Sequence, residues 1–401
     1  MLKEELEKLK RPDIYQIFLE NRDKSAHEIS LKLRKDNKFP HRAISEQVAC
    51  YQKTKIKLPS FINKHLLFEK NALEQSSSEF AAEYKSSLIS GNKLIDLTGG
   101  LGIDDIFFAT RFKEITYCEL NEVLANILSY NLEQLSIENI DIHNVDSVKY
   151  LTNVSDIYFD WIYIDPSRRD ENRRSVDLQF CTPNVYENME LFFQKSENVM
   201  IKAAPAYDLT EAIRKFPNLV EIHVVSVDGE CKEVLLILKK DVFNAKIKTF
   251  AVLLNSKSEH KQIISQIISE KDVNILSEIK EYFYEPDCSI IKSNLVHYIA
   301  DEFNLSFINN NSPFLTNSEL ISNFPGRQFK IMTSLLYNEK EIKKYLKTNG
   351  FSKANVARRG FRLSVEEIRK VFKLKDGGDI YLFFTSDLNK RAIMIVTTKI
   401  S

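Results

Sequence analysis

Glycine is scarce: the chain has ten in 401 residues, against a usual share of about 7%. Four of these ten, Gly91, Gly99, Gly100 and Gly102, fall within twelve residues, so whatever the backbone needs from glycine is concentrated there. Residues 1–90 contain none. The five cysteines, Cys50, Cys118, Cys181, Cys231 and Cys288, are odd in number and form no C-x-x-C pair. That pattern argues against a disulfide framework and a zinc knuckle and fits a reducing compartment. The seven histidines show no ligand spacing, so no metal is expected. No apolar run approaches the roughly 20 residues of a membrane span, and the opening MLKEELEKLKRPD is too charged for a secretory leader. A soluble cytoplasmic protein without a membrane partner is expected. Net charge is also lacking, with 56 Lys/Arg balanced by 56 Asp/Glu. The balance hides an asymmetry, because Pro325–Ser401 carries 17 basic and 7 acidic residues while the preceding residues carry 39 and 49.

What is present is a chain able to bury several cores, 43% apolar and 28% charged, with a length that suggests two to four domains. Stretches such as EELEKLK, HEISLKLRK and SSSEFAAEYKSSLI have helical spacing of apolar residues, so residues 1–90 read as an N-terminal helical region, with Ser76 and Glu79 as a capping box. From Lys93 the pattern changes to short apolar runs separated by helix-length segments: KLIDL, EITYCEL, NIDIHNV, FDWIYID, NVMIKAA, EIHVVSV and CKEVLLILKK. The alternation predicts a parallel sheet over 91–240. The last two runs are separated only by Asp228-Gly229-Glu230, too short for a crossover, which makes the seventh strand antiparallel. Residues 241–324 are mixed, with a strand-like FAVLL, a helix-like SEHKQIISQII and a second helix in CSIIKSNLVHYIADEF. Pro325-Gly326 opens a last α+β unit, 325–401, with helices EKEIKKYLKTN and SVEEIRKVF and final strands DIYLFFT and RAIMIVTT.

The chemistry concentrates where the strands end. In Asp96-Leu97-Thr98-Gly99-Gly100-Leu101-Gly102 a strand runs through a glycine-rich turn into a helix, which lets backbone approach a ligand and presents amides at a helix start. The G-x-G-x-x-G spacing of dinucleotide sites is missing, which disfavours a nicotinamide dehydrogenase. Glu119 ends the second strand, where a carboxylate can accept from two ribose hydroxyls. Asp146 follows the third and Asp165-Pro166 the fourth. Open α/β sheets bind ligands at these carboxyl ends.

Five βα units closed by a β-hairpin resemble class I S-adenosylmethionine-dependent methyltransferases, an α/β, Rossmann-like fold with a seven-stranded sheet. The runs Gln75-Ser76-Ser77-Ser78-Glu79, Tyr84-Lys85, DLTGGLGID, Ile164-Asp165-Pro166-Ser167-Arg168-Arg169-Asp170, Ile201-Lys202-Ala203-Ala204-Pro205 and Glu230-Cys231-Lys232-Glu233 are similar to a bacterial methyltransferase family with a C-terminal THUMP-like domain. Glu285-Pro286-Asp287 resembles that family's small ferredoxin-like insert within 241–324, and Arg359-Gly360-Phe361 through Gly378 its basic THUMP-like part. The resemblance implies S-adenosylmethionine as cofactor, held by Asp96, Thr98, Gly99, Gly100 and Gly102 at its methionine portion, Glu119 at its ribose and Asp146 at its adenine. It implies that Asp165 and Pro166 face the acceptor, and it suggests an RNA substrate.

The acceptor itself stays open. Asp-Pro-Ser-Arg lacks the aromatic residue that commonly follows in exocyclic-amine methyltransferases. No cysteine sits in a Pro-Cys pair or beside the fourth strand end, as attack at a pyrimidine carbon would need. Arg168, Arg169, Arg173 and Arg174 crowd the loop after that strand, and guanidinium groups suit phosphates and bases. Lys202 ends the fifth strand and is a further substrate-binding candidate. Eleven basic residues between Lys343 and Lys375, with Phe351 and Phe361 interleaved, suit sequence-independent RNA capture. Two other readings remain: a non-catalytic RNA-binding protein on the same scaffold, and a methyltransferase with a small-molecule or protein substrate.

Overall fold

Every apolar run from Lys93 to Lys240 forms a strand, and in the middle strands nearly all side chains are buried, as a sheet covered on both faces requires. The computed structural model describes residues 3–33, 40–168, 177–257, 261–267 and 275–400. The strands are β1 (Gly91–Asp96), β2 (Phe112–Cys118), β3 (Ile140–His143), β4 (Phe159–Ile164), the two-residue pair β5 (Ser167–Arg168) and β6 (Cys181–Thr182), then β7 (Ser196–Ala203), β8 (Leu219–Val227) and β9 (Glu230–Lys239). They are followed by β10 (Lys248–Leu254) and β11 (Lys261–Ile267). The large sheet has the order β11-β10-β8-β9-β7-β4-β1-β2-β3. Strands β2, β3, β4 and β7 run parallel to their neighbours around a central β1, and β9 pairs antiparallel with β7. The turn before β9 places Asp228 at φ 53° and Gly229 at φ 79°, the two consecutive left-handed residues a two-residue hairpin needs.

Three expectations are corrected here. The sheet has nine strands, not seven. The segment read as the helix SEHKQIISQII contains β11, because Ile263, Ile264 and Ile267 match a helical spacing equally well while their branched Cβ atoms favour a strand. The capping box is also displaced. Ser78, not Ser76, caps the helix Glu79–Leu88 by accepting from the Ala81 amide, while Ser76 closes the preceding helix Lys70–Gln75 and Glu79 accepts from the Ser60 amide.

By contacts the chain divides into Met1–Val227 with Lys232–Ile247 and Leu254–His260, and Asp228–Cys231 with Lys248–Leu253 and Lys261–Ser401. Within the first unit the N-terminal region is helical, as expected, and is stitched to the sheet's helices by polar side chains. Gln47 exchanges hydrogen bonds with the Phe68 backbone at 2.7 and 3.1 Å, and Asn131 does the same with Leu67 at 2.8 and 2.9 Å. These bonds fix the segment that leads to Gln75–Ser77.

The second unit holds β12 (Tyr282–Pro286), β13 (Ser306–Phe307), β14 (Leu315–Asn317), β15 (Gly326–Leu336), β16 (Asn355–Arg358), β17 (Ile380–Ser386) and β18 (Ala392–Lys399), ordered β13-β14-β12-β15-β18-β17-β16. The single helix expected over 288–303 is two, Cys288–Lys292 and Val296–Glu302, separated by Asn294 at φ 60°. Helices Glu339–Thr348 and Val365–Phe372 turn Ile342, Leu346, Ile368 and Phe372 into a core with Leu382, Phe384, Met394 and Val396. A second cluster, Phe283, Phe314, Phe329 and Phe383, packs at centroid distances of 4.4–6.0 Å. Gly326 enters β15 where an added Cβ would stand 2.3 Å from the Glu285 carbonyl oxygen and 2.9 Å from Pro286 Cα. Backbone cannot yield as a side chain does. Gly326→Ala should therefore destabilise the unit by about 1–3 kcal/mol, read as a lowered midpoint in denaturant unfolding of the full chain; an unchanged midpoint would contradict this packing.

Candidate active site

At the carboxyl ends of β1 to β4 lies a cleft of about 600 Å³. Lining it are Asp96, Thr98, Gly99, Gly100, Glu119, Asp146, Asp165, Pro166 and Lys202, so all the expected cofactor and acceptor residues meet except three. Gly102 lies buried just beneath the loop. Arg168 is on β5 with its side chain outside the described residues, as are Arg169, Arg173 and Arg174 altogether.

The glycine turn is shaped by what surrounds it. A Cβ on Gly99 would stand 1.9 Å from the Tyr117 ring, and Gly100 and Gly102 have φ of 58° and 69°. The sequence suggested free amides here, and the structure corrects this. The Thr98 amide donates to Asp96 Oδ1 at 2.7 Å, Gly99 to the Cys118 carbonyl at 3.0 Å, Gly100 to Glu119 Oε2 at 2.9 Å and Gly102 to the Gly99 carbonyl at 2.8 Å. What these glycines offer a ligand is close approach to bare backbone.

Glu119 is half-buried and also accepts from the Asn121 amide at 2.7 Å through Oε1. A carboxylate has about four lone-pair sites, so each oxygen retains one toward the cleft. Asp146 caps the helix Ser147–Thr152 through Oδ1, accepting from the Val148 and Lys149 amides at 3.1 Å, while Oδ2 makes no hydrogen bond to that turn and stands 4.0 Å from the exposed Lys149 ammonium. Between these acids, Leu120 (65% exposed) and Val145 (38% exposed) present apolar side chains to the same cleft. Large apolar groups left bare on facing walls suit a flat, weakly polar ring.

Three carboxylates lie below the turn. Burial pushes Asp96 up to about 7, against the Thr98 amide, with Asp104 and Asp165 adding to the push. Asp105 is fully buried with no hydrogen-bond partner on either oxygen, and burial beside Asp96 pushes it well above the carboxylate range. Asp104 is the exception: burial would raise it, but Lys85 and Lys202, with hydrogen bonds from Tyr163 at 2.6 Å and Ser77 at 3.0 Å, hold it below.

The acceptor end is built on Asp165, whose amide donates to Thr98 Oγ1 at 2.6 Å and whose Oδ2 is ion-paired with Lys202. Burial lowers Lys202, but Asp165, Asp104 and Glu233 outweigh it and hold the ammonium charged. Thr182, Pro183, Asn184, Glu187 and Asn188 complete this end. Cys118 lines the cleft, yet burial pushes its thiol up to about 12, so it holds no thiolate for covalent attack.

Sequence reasoning missed one wall. Ala72, Gln75, Ser76 and Ser77 from the N-terminal region line the cleft, whereas the sequence points only to a family resemblance at Gln75–Glu79 and a helix cap at Ser76. Among the described residues no group of three or more His, Cys, Asp or Glu could hold a metal ion, and no helix is long and apolar enough to cross a membrane.

The chain was compared with known proteins. Over 100% of its length and 99% of the other's it matches a crystal structure of a candidate methyltransferase from Porphyromonas gingivalis W83, with a TM-score of 0.80 and 26% identity. TrmK of M. capricolum, solved with S-adenosyl-homocysteine, matches 41% of this chain and 70% of its own at a TM-score of 0.33 and 15% identity. A curated, uncharacterised RNA methyltransferase of Mycoplasma mobile is 29% identical over 85 residues, which is 21% of this chain and only 23% of that relative's length. The α/β fold of the chain is thus that of a methyltransferase neighbour from end to end. Residues 282–325 match the ferredoxin-like domain family and residues 326–399 the THUMP domain-like family, so the C-terminal part of the chain carries the two domains that the sequence resemblance names.

Proposed function

We propose that this protein is an S-adenosylmethionine-dependent methyltransferase acting on RNA. The observation that carries the reading is the series Asp96, Glu119, Asp146 and Asp165 at four successive strand ends of one cleft, with apolar Leu120 and Val145 among them. The fit to the cofactor rests on this chain's own groups. The residual lone pairs of Glu119 suit two ribose hydroxyls, Oδ2 of Asp146 suits an exocyclic amine, and the bare backbone at Gly99 and Gly100 admits the methionine chain. Among the described residues lining the cleft, Lys202 is the single basic one, against six carboxylates. Such a field favours a cation. When bound, the cofactor supplies an electrophilic methyl on a positively charged sulfur.

Asp165 and Pro166 would orient the acceptor for in-line transfer, where positioning contributes most of the rate. The described lining of the cleft is acidic and repels phosphate, so affinity for RNA has to be supplied by basic residues outside that lining. The THUMP-like segment supplies candidates: Lys340, Lys344, Lys347, Lys353, Arg358, Arg359, Arg362, Lys370, Lys373 and Lys375 are all exposed. The Mycoplasma relative's name and the THUMP-like match support an RNA substrate over a small molecule.

Calorimetry with S-adenosylhomocysteine tests the cofactor half. Wild type should bind, and Glu119→Ala should bind at least about tenfold more weakly, since each hydrogen bond to a charged group contributes about 1.5–3 kcal/mol. Equal affinity would refute the ribose role. Affinity should also climb from pH 6 to pH 8, because the ammonium of the ligand needs an ionised Asp96 and that acid titrates at about 7. A flat or inverted profile would contradict this assignment.

The RNA half is tested by binding of the full chain to bulk bacterial RNA. Log affinity should fall linearly with log salt, and Lys353→Gln with Lys375→Gln, neighbours through a backbone bridge, should flatten the slope by about 0.7 per lost phosphate contact. Failure to bind RNA at 50 mM salt, on the order of the low-salt limit of such measurements, would remove RNA as the substrate.

A further inference from the structure

Lys85 lies on the helix Glu79–Leu88 with no exposed surface, and it does not itself line the cleft. Its ammonium donates to Ser77 Oγ at 2.8 Å and to both Glu233 oxygens at 2.8 Å, and stands 3.2 Å from Asp104 Oδ1. Asp104 accepts on its other oxygen from Ser77 Oγ at 3.0 Å and Tyr163 OH at 2.6 Å. One cation thereby joins four distant pieces of chain: the N-terminal helix, the helix after the glycine turn, β4 and β9.

A buried ion pair is weak evidence of stability, because apolar residues of similar volume often do as well or better. Here the ammonium serves two carboxylates, and one of them, Asp104, reaches the cleft wall together with Ser77 and Tyr163. The next residue, Asp105, and Asp96 opposite are buried acids without such a counter-charge. Without Lys85, Asp104 would lose its ion-paired cation and keep only the field of Lys202 and the hydrogen bonds from Ser77 and Tyr163.

We infer that Lys85 is a positioning residue of the cofactor cleft: by pairing with Asp104 and Glu233 together, it fixes Ser77, Tyr163 and the helix Ile103–Phe108, and through that helix the turn Thr98–Gly102. The inference rests on the methyltransferase reading above. Asp104 is faced by Lys85, Lys202, Asp96, Asp105, Ser77 and Tyr163, and Glu233 by Lys85 and Lys202. Lys202 also acts on Asp104 but is ion-paired with Asp165, so among the described residues Lys85 is the cation that pairs with Asp104 and Glu233 together.

The test uses the full chain with S-adenosylhomocysteine as the probe, measured by calorimetry at pH 6.5 and 8.5, together with amide hydrogen exchange of the unliganded protein. Lys85→Met should weaken binding more than tenfold relative to wild type at both pH values. Adding Glu233→Gln should recover part of the loss. Should Lys85→Met not fold, Ser77→Ala keeps the ion pair, removes the link to the wall, and should cost a three- to tenfold loss with faster exchange over Ile103–Phe108. Folded variants that bind within twofold of wild type at both pH values, whatever their melting temperature, would overturn the inference alone. Unchanged exchange over Ile103–Phe108 would overturn it as well. Wild type that fails to bind the probe would instead overturn the methyltransferase reading, and this inference with it.

Discussion

A carboxylate removed from water must find a proton, a donor or a cation, and at the crest of this sheet each of several buried acids has a different answer. Asp96 takes the Thr98 amide and hydroxyl, Asp105 is driven toward its protonated form, and Asp104 is held ionised by Lys85. Asp165, only half-buried at the cleft, takes Lys202. The shape of the cleft follows from these pairings. They close the glycine turn on its own amides, pin the wall at Ser77, and leave unsatisfied acceptor capacity on Glu119 and Asp146, where a ligand can reach it. The described lining of the cleft is thus predominantly acidic, which suits the cationic cofactor proposed above better than a polyanion.

Charge is accordingly separated along the chain. The acidic residues that matter for the cleft lie before Lys240, while the THUMP-like segment carries an excess of exposed lysine and arginine. Long-range attraction to phosphate falls off within about 10 Å in physiological salt. On the proposed reading, a basic module would gather RNA without discrimination and leave choice of the acceptor atom to the Asp165 end of the cleft.

Much of this was legible in the sequence because it follows from local chemistry. Strands β1 to β4 and β7 to β9 appear as apolar runs, the hairpin as Asp228-Gly229, the turn as clustered glycines, and the cleft acids as residues at run ends, whereas the two-residue β5 and β6 leave no such run. The helix and strand order after Pro325 is equally plain, since Ile342/Leu346 and Ile368/Phe372 repeat at helical spacing. What could not be read depends on partners far apart in the chain. Lys85 and Glu233 are 148 residues apart, and nothing near Lys85 reveals that its ammonium lies inside the protein. Gln75–Ser77 resembled a family motif, but only the packing of the N-terminal helices makes it a wall. The loop amides were assigned to a ligand because a glycine-rich turn looks open, whereas Glu119 and Cys118 occupy them. At Ile263, Ile264 and Ile267 two periodicities fitted one short run, and sheet pairing decided between them.

The central claim is methyl transfer to RNA, and it is tested most directly by incubating the full chain with methyl-labelled S-adenosylmethionine and total RNA from cells lacking the protein, then analysing nucleosides by mass spectrometry. The account predicts label in one methylated nucleoside, lost with Asp165→Ala. Label that never enters RNA, while the same protein binds both the cofactor and RNA, would contradict it.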